Sequence, residues 1–238
     1  MKPQKVLEVE ITLDEEMLAT SPGTKEIYME RVASKAPDAA TIEDEIAALG
    51  LDKVVEKGRT IFARDKLGNP GIFCYIIKGF FKNACKAMRE ADGAESKSLT
   101  SYKTKIDNLI FIRPVEYDPV TNPKKLLLIE PPKDPEEESG EGICERPLRA
   151  STPQGERITL ASSESVPVGS TIRFKILLYK AEMEKYVIEW LDYGEFNGLG
   201  CWHNSGKGAF TWRDIKGLDG EDMTKKRRGR KKKDEVSE

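Results

Sequence analysis

The sequence predicts a mixed α+β fold, and three segments support this class. Val6–Leu13 and Thr171–Tyr179 each alternate apolar and polar side chains, which is the pattern of a strand with one buried face. In Met183–Leu191 the apolar residues recur at every third or fourth position, which is the pattern of an amphipathic helix. We expect these elements to belong to a single domain that covers residues 1–218.

The composition allows a buried core and gives no sign of a membrane span. Of the 238 residues, 38% are hydrophobic, and no run of eighteen apolar residues occurs. The N-terminal residues lack the apolar core of a signal peptide, because Glu8 and Glu10 interrupt them. We therefore expect a cytoplasmic protein without membrane contact.

The charges are distributed unevenly along the chain. Residues 224–238 carry eight of the 39 Lys and Arg residues and three of the 41 acidic residues, a net charge of +5. Because the whole chain has a formal net charge of −2, the remainder carries −7. Residues 219–238 are therefore predicted to form a disordered basic tail that attracts nucleic acid without regard to sequence.

Residues 20–58 lack the alternation of the strand before them. One helical pattern contains Ile27 and Val32, and a second acidic helix begins near Thr41 and ends at Gly50. This region is either a helical insertion in the sheet domain or an ordinary helical subdomain that contacts no ligand.

Two strands and a helix follow. Arg59–Ala63 and Gly71–Ile77 have the composition of strands and flank the turn Asp65–Pro70. After Lys78 we predict a helix with a basic stripe along one face. The helix stripe consists of Lys78, Lys82, Lys86 and Arg89. It is either a solvated face or, because it begins at a helix N-terminus, a row of phosphate contacts.

Two further strands are predicted before a polar, acidic surface loop. Asn108–Ile112 and Lys125–Ile129 are short apolar strands. Beyond the loop, Arg146, Arg149 and Arg157 lie around a turn at Thr152–Gly155. These arginines either clamp phosphates or pair with the many acidic residues.

The strand Thr171–Tyr179 has one apolar face and one basic face. Arg173, Lys175 and Tyr179 lie on the basic face. Such a face is either a platform for single-stranded nucleic acid or a solvated surface.

A glycine-rich loop follows the helix near residue 190. Its glycines form the pattern G-x-G-x5-G-x-G at Gly198, Gly200, Gly206 and Gly208, and Trp202, His203 and Lys207 lie between them. Backbone N–H groups in such a loop can bind anionic oxygens, and the tryptophan can stack on a base. The alternative is a tight turn that leads into the last strand. The loop is neither a dinucleotide-binding fingerprint, which runs from strand to helix, nor a P-loop.

Three of these segments resemble the RAMP superfamily, the CRISPR-associated RNA-binding proteins. Glu182–Trp212 resembles the glycine-rich loop of that superfamily, with a helix before the loop and a final strand after it. Phe73–Met88 resembles the strand-to-helix junction of the backbone subunits, where a Lys-Gly pair opens a basic helix, and Glu145–Ile176 resembles their central strands. The likeness is closest to the backbone subunits of type I and type III effector complexes.

The resemblance implies a ferredoxin-like, RRM-type antiparallel sheet with a C-terminal glycine-rich loop. It places Val6–Leu13 at the centre of that sheet and makes residues 20–58 a helical insertion of the kind that varies among backbone subunits. Because those subunits stack along their RNA, it also implies head-to-tail assembly, which can generate filaments.

Neither a metal site nor a catalytic centre is expected. The four cysteines form no C-x-x-C pair, and His203 is the single histidine. In the RNA-processing branch of the superfamily the catalytic histidine lies early in the chain, where this chain has none. In type III backbone subunits a loop aspartate performs cleavage, but Asp14 and Asp38 lie in no matching motif.

We therefore expect a non-catalytic binder of single-stranded RNA or DNA with no cofactor. The predicted nucleic-acid-binding residues are Lys78, Lys82, Lys86, Arg89, Arg146, Arg149, Arg157, Arg173, Lys175, Gly198, Gly200, Trp202, His203, Gly206, Lys207 and Gly208. The alternative is a phage or mobile-element protein that mimics a backbone subunit and engages a defence complex, or that sequesters a small nucleotide.

Overall fold

The computed structural model describes residues 2–22, 59–132, 142–152 and 155–215, with the backbone alone at Pro22 and in residues 148–160. Nearly all of the predicted helical insertion lies outside the described residues, and so does the predicted basic tail.

The described residues form twelve β-strands and three α-helices. The strands are β1 (Lys5–Leu13), β2 (Met17–Leu18), β3 (Ser21–Pro22), β4 (Thr60–Ile61), β5 (Ala63–Arg64), β6 (Pro70–Ile72), β7 (Ile110–Pro114), β8 (Leu127–Glu130), β9 (Gly142–Thr152), β10 (Gly155–Val166), β11 (Thr171–Leu178) and β12 (Phe210–Asp214). The helices are α1 (Cys74–Met88), α2 (Tyr102–Leu109) and α3 (Glu184–Asp192).

The first sheet has the order β12-β1-β11, and both β7 and β8 pair with the far side of β11. Strands β6 and β5 continue the sheet beyond β8, and every pairing within this sheet is antiparallel. In sequence, α1 lies between β1 and β7, and α3 lies between β11 and β12. The predicted α+β class is therefore confirmed for the described residues, and β1 lies inside the sheet between β12 and β11, second from its edge.

One face of this sheet packs against α1 and α3. Val9 and Phe174 are fully buried on that face, because residues paired across strands point to the same side. From the helices, Phe81 and Trp190 contribute rings whose centroids are 5.5 Å apart. Large apolar side chains from both helices and the sheet thus form one core, and the removal of their surface from water stabilises the fold.

The second sheet has the order β2-β10-β4-β3, and β9 pairs with β10 on its other side. The β9–β10 pairing runs from Gly142 opposite Ser165 to Thr152 opposite Gly155. Strand β2 follows β1 after a turn, so the chain passes directly from the first sheet to the second.

The start of α1 differs from the prediction. The strand expected at Gly71–Ile77 ends at Ile72, and the helix begins at Cys74 rather than after Lys78. A short apolar run such as FCYII is compatible with either structure. Here the helical spacing decides, because it buries Ile77 together with Phe81.

Two further boundaries also differ. Asn108 and Leu109 end the helix α2, which the sequence analysis did not predict, and strand β7 begins only at Ile110. The helix near residue 190 ends at Asp192, and Gly194 lies in the 3₁₀ turn that follows, without a left-handed backbone. A Cβ at this position would overlap the ring of Phe210, so close packing explains the glycine.

Alanine substitutions at two glycines are therefore expected to have opposite effects on stability. Gly79 lies inside α1, and a Cβ there would meet no atom within 4 Å. Gly79→Ala is expected to raise the free energy of unfolding by about 0.5–1 kcal/mol, because alanine loses less backbone entropy in a helix. Gly194→Ala is expected to lower it by about 1–3 kcal/mol through overpacking. Urea unfolding of both variants measures this, and equal effects would contradict the packing described.

Candidate nucleic-acid interface

The glycine-rich loop connects the two sheets through backbone hydrogen bonds. Leu199 N–H donates to the carbonyl of Gly208 at 2.9 Å, which closes the loop upon itself. Cys201 N–H donates to the carbonyl of Leu18 at 3.1 Å, and Gly208 N–H donates to the carbonyl of Glu16 at 2.8 Å. The loop is therefore anchored along the segment that joins β1 to the second sheet.

Three of the four loop glycines are explained by contacts within the protein. A Cβ on Gly198 would overlap the backbone of Gly208, and a Cβ on Gly208 would overlap the carbonyl of Leu199. At Gly200, with φ +88°, it would overlap the carbonyl of Leu18. Only at Gly206 does the added atom meet open space. Backbone packing within the loop, and of Gly200 against β2, thus accounts for most of the motif, and a role of these glycines toward a ligand stays a prediction.

The loop presents Trp202 on a left-handed backbone, with φ 62°. Its side chain is exposed, and the guanidinium carbon of Arg146 lies 4.6 Å from the ring centroid. Arg146 has no carboxylate partner among the described residues, and its buried Nε has no hydrogen-bond partner. The fold thereby joins two residues that are far apart in sequence into a stacked cation–aromatic pair.

The other polar residues of the loop are held by neighbours. The ring nitrogen Nδ1 of His203 lies 3.0 Å from the carbonyl oxygen of Gly200. Lys207 Nζ lies 2.6 Å from a carboxylate oxygen of Glu16, and this hydrogen bond raises the pKa of the lysine. Arg146, Trp202, His203 and Lys207 are called the loop platform below.

The helix stripe lies beside α2 and is partly neutralised there. Lys82 Nζ forms an ion pair with the carboxylate of Asp107 at 2.7 Å. Lys78 donates to the carbonyl of Asp107 at 3.0 Å and lies 4.6 Å above the ring of Phe111. Burial lowers the pKa of Lys78, although the charge of Asp107 acts in the opposite direction.

The remainder of the stripe is less constrained. The guanidinium of Arg89 lies 5.4 Å from the ring centroid of Tyr102, and Lys86 is exposed without an ion pair to any described residue. Because α1 begins at Cys74, Lys78 is the fifth helical residue. The expected placement of the stripe at a helix N-terminus is therefore wrong.

The sheet face opposite the helices carries buried carboxylates. Glu8 and Glu10 were expected on the exposed side of β1, but they are only 7% and 4% exposed. Each is covered by a cation from a neighbouring strand. Lys175 Nζ lies 3.3 Å from Glu8, and Arg173 Nε donates to Glu10 at 2.6 Å. These ion pairs across β1 and β11 explain why the simple alternation fails.

Glu10 has a second arginine, which the sequence analysis missed. Arg213 Nε on β12 donates to the other carboxylate oxygen at 2.6 Å. Burial alone would raise the pKa of Glu10, but the hydrogen bonds from Arg173 and Arg213 hold it below its ordinary value. The alternation of β12 places Arg213 on a polar face, yet only the strand register reveals that it lies opposite Glu10.

The three arginines predicted around the hairpin turn occupy separate register positions. Arg146 lies opposite Ala161, Arg149 opposite Ile158, and Arg157 opposite Ala150. Only the side chain of Arg146 is among those described. A cluster of all three therefore stays a prediction.

The described residues contain neither a cluster suited to a metal ion nor a helix suited to cross a membrane. No group of histidine, cysteine, aspartate and glutamate side chains within 2–22, 59–132, 142–152 and 155–215 is arranged to hold a metal ion. Among the helices that the structure describes, none has both the length and the apolar character needed to cross a membrane.

In the comparison with known proteins, the chain is similar to several solved structures. No family model and no curated protein matches the chain. A protein in the structure of Type III-B Cmr-beta bound to cognate target RNA matches 88% of this chain at 14% identity with a TM-score of 0.43. This chain spans 58% of the length of that protein.

Two further structures are similar. A protein of a Type IV-B CRISPR complex matches 91% of this chain and 93% of its own length, at 14% identity and a TM-score of 0.42. Cmr6 from Pyrococcus furiosus matches 87% of this chain and 97% of its own length, at 12% identity and a TM-score of 0.38. These are CRISPR-associated proteins, the group that the sequence resembles. At TM-scores below 0.5 the similarity does not extend to function.

The lowered pKa of Glu10 predicts a pH dependence of stability. A carboxyl group with a lower pKa in the folded state stabilises the fold above its unfolded pKa, about 4.3, and loses this contribution as the pH falls through the folded value. Glu10→Gln is therefore expected to lower the free energy of unfolding at pH 7 by about 1–3 kcal/mol. It is also expected to flatten the loss of stability below pH 5.

Denaturant unfolding between pH 7 and pH 3 measures this difference. Glu182→Gln, which removes an exposed carboxylate from a 3.4 Å pair with Lys180, is the matched control and is expected to change stability by less than about 0.5 kcal/mol. Parallel stability curves for wild type and Glu10→Gln would contradict the assignment.

Proposed function

We propose that this protein binds single-stranded RNA or DNA without cleaving it. The observation that carries the proposal is the stacked pair of Arg146 and Trp202 on the loop platform. An aromatic ring offers a face to any base, and a guanidinium group offers donors to a phosphate.

The backbone of Trp202 supports a role beyond folding. A bulky residue with φ near +60° is an outlier, and such strain is typically found at functional sites. The surrounding hydrogen bonds from Leu199, Cys201 and Gly208 hold this conformation in place. The loop therefore presents its tryptophan in a fixed position, which reduces the entropy lost on binding.

A groove lies between α1 and the glycine-rich loop, and His203 of the loop platform is one of its lining residues. Its volume is about 300 Å³, and Gly79 and Asn83 of α1 also line it. Lys86 lies on the exposed face of α1, one helical turn beyond the groove residue Asn83. A single strand that stacks on Trp202 could therefore continue toward Lys86 and Arg89, which are the exposed cations of the stripe.

We also infer that the first sheet is a ferredoxin-like, RRM-type sheet. Four of its strands have the spatial order β12-β1-β11-β7, with one helix after β1 and one after β11 in the sequence. This order and alternation agree with the β-α-β-β-α-β arrangement of that fold.

The absence of nuclease activity is also a proposal. His203 is the most suitable acid–base group by type, and one of its ring nitrogens is occupied by the carbonyl of Gly200. Burial raises the pKa of Asp14, which is hydrogen-bonded to Thr211, whereas Asp38 lies outside the described residues.

A second candidate function is binding to a protein of a defence complex. It is favoured by the net charge of −7 outside residues 224–238, since an acidic surface suits a basic protein partner. Assembly of the protein along a strand belongs to the first proposal and would appear as an increase in mass per oligonucleotide.

Removal of the tryptophan ring tests the nucleic-acid proposal. Trp202→Ala is expected to weaken binding of a fluorescein-labelled 20-nucleotide single strand by about 5- to 100-fold, because base stacking contributes about 1–3 kcal/mol. Fluorescence anisotropy at fixed salt measures the dissociation constant. Phe196→Ala is the matched control, because Phe196 is an aromatic residue near the same loop with 75% exposure. Equal loss in both variants would contradict the role of the platform, and no binding by wild type would overturn the proposed function.

A cleavage assay tests the proposed lack of catalysis. Incubation of the purified protein with end-labelled single-stranded RNA is expected to leave the full-length band intact on a denaturing gel. Cleavage by wild type that is lost in His203→Ala or Asp38→Ala would overturn this part of the proposal. Cleavage that both variants retain and that still co-purifies with the protein would overturn it too, whereas cleavage that further purification removes would indicate a contaminating nuclease.

A further inference from the structure

A pocket opens on the sheet face opposite the helices. Its volume is about 270 Å³, and it lies at the end of β8 beside β1, β11 and β12. Arg173 and Arg213 line it together with Glu10, while Glu130 and Thr171 also contribute to its wall. No residue in this pocket except Arg173 belongs to the predicted nucleic-acid-binding set.

Glu10 orients both arginines. Each guanidinium uses its Nε to donate to a different oxygen of the carboxylate, at 2.6 Å in both cases. Arg213 Nη2 also contacts Glu10. Because an arginine has five N–H donors, both guanidinium groups keep donors that Glu10 does not use. The side chains of Arg173 and Arg213 are 40% and 63% exposed, whereas that of Glu10 is 5% exposed.

The charges around the pocket leave room for an anion. Two arginines face one buried carboxylate, that of Glu10. Among the described residues, the other carboxylates near Arg173 are those of Glu130, which is 53% exposed and 3.9 Å from Arg173 Nη2, and Glu116. At this separation and exposure an ion pair contributes little, so a phosphate could displace Glu130.

We infer that Arg173 and Arg213 form a phosphate-binding subsite that takes one phosphate of the single-stranded nucleic acid. This inference rests on the proposed function. Planar guanidinium groups bind phosphate oxygens through paired N–H donors, and a carboxylate that fixes their orientation lowers the entropy lost on binding. The subsite lies on the sheet face, where RRM-type proteins bind single strands.

Two substitutions with opposite expected effects test the subsite. Arg213→Gln is expected to weaken binding of the 20-nucleotide strand by about 3- to 30-fold and to reduce the slope of log K against log salt by about 0.7. Glu130→Gln is expected to tighten binding by about 2- to 5-fold, because it removes the competing carboxylate. An arginine that served only the fold would change stability and leave affinity and salt slope unaltered.

The control variant is Arg64→Gln. It also removes an arginine from a carboxylate pair, 3.4 Å from Glu164, but it lies outside the pocket. It is expected to leave the salt slope unchanged. If Arg213→Gln fails to fold, Glu130→Gln still tests the inference, because it leaves the three-residue cluster around Glu10 intact.

The outcomes separate this inference from the proposed function. If Trp202→Ala weakens binding while Arg213→Gln and Glu130→Gln change neither affinity nor slope, the subsite is overturned and the proposed function stands. If wild type binds no oligonucleotide, both are overturned. A further arm measures the thermal shift caused by inorganic phosphate at constant ionic strength. One outcome would show that the subsite binds a free anion and no phosphate of a nucleic acid. In that outcome, phosphate stabilises wild type, Arg213→Gln abolishes this stabilisation, and the same substitution leaves the oligonucleotide affinity unchanged.

Discussion

The first sheet depends on the burial of Glu10 between two arginines. A buried carboxylate is costly unless its charge is paired, and removal of one partner from such a cluster is strongly destabilising. Arg173 on β11 and Arg213 on β12 supply this pairing from both sides of β1. The cluster therefore favours a single register for three strands, since a shift of one residue would place Glu10 on the apolar face.

The glycine-rich loop follows from the register of β12. Phe210 at the start of that strand packs against Gly194, and the preceding residues must return across the end of β1 to reach this position. That path brings the backbones of Gly198 and Gly208 into contact and presses Gly200 against the carbonyl of Leu18. The way in which the two sheets join thus accounts for three of the four loop glycines.

The sequence predicted the elements whose patterns are local. Burial alternates strictly along Thr171–Leu178, and the apolar face of α3 is buried as its spacing indicates. It did not predict the burial of Glu10, because that depends on Arg213, about two hundred residues away. The contact of Arg146 with Trp202 is equally non-local. A run of basic residues likewise gave no sign that Lys82 would pair with Asp107.

Several cations that the sequence predicted as phosphate contacts form ion pairs with carboxylates of the protein itself. Lys82, Lys175 and Lys207 each pair with a carboxylate on a neighbouring segment. A phosphate would have to replace those carboxylates, and the gain from exchanging one anion for another in water is small. A cation without a carboxylate partner keeps its full attraction for an anion, and Arg146 has none among the described residues. The number of basic residues in a segment is therefore a poorer guide to an anion site than the donors that remain after the protein has satisfied its own carboxylates.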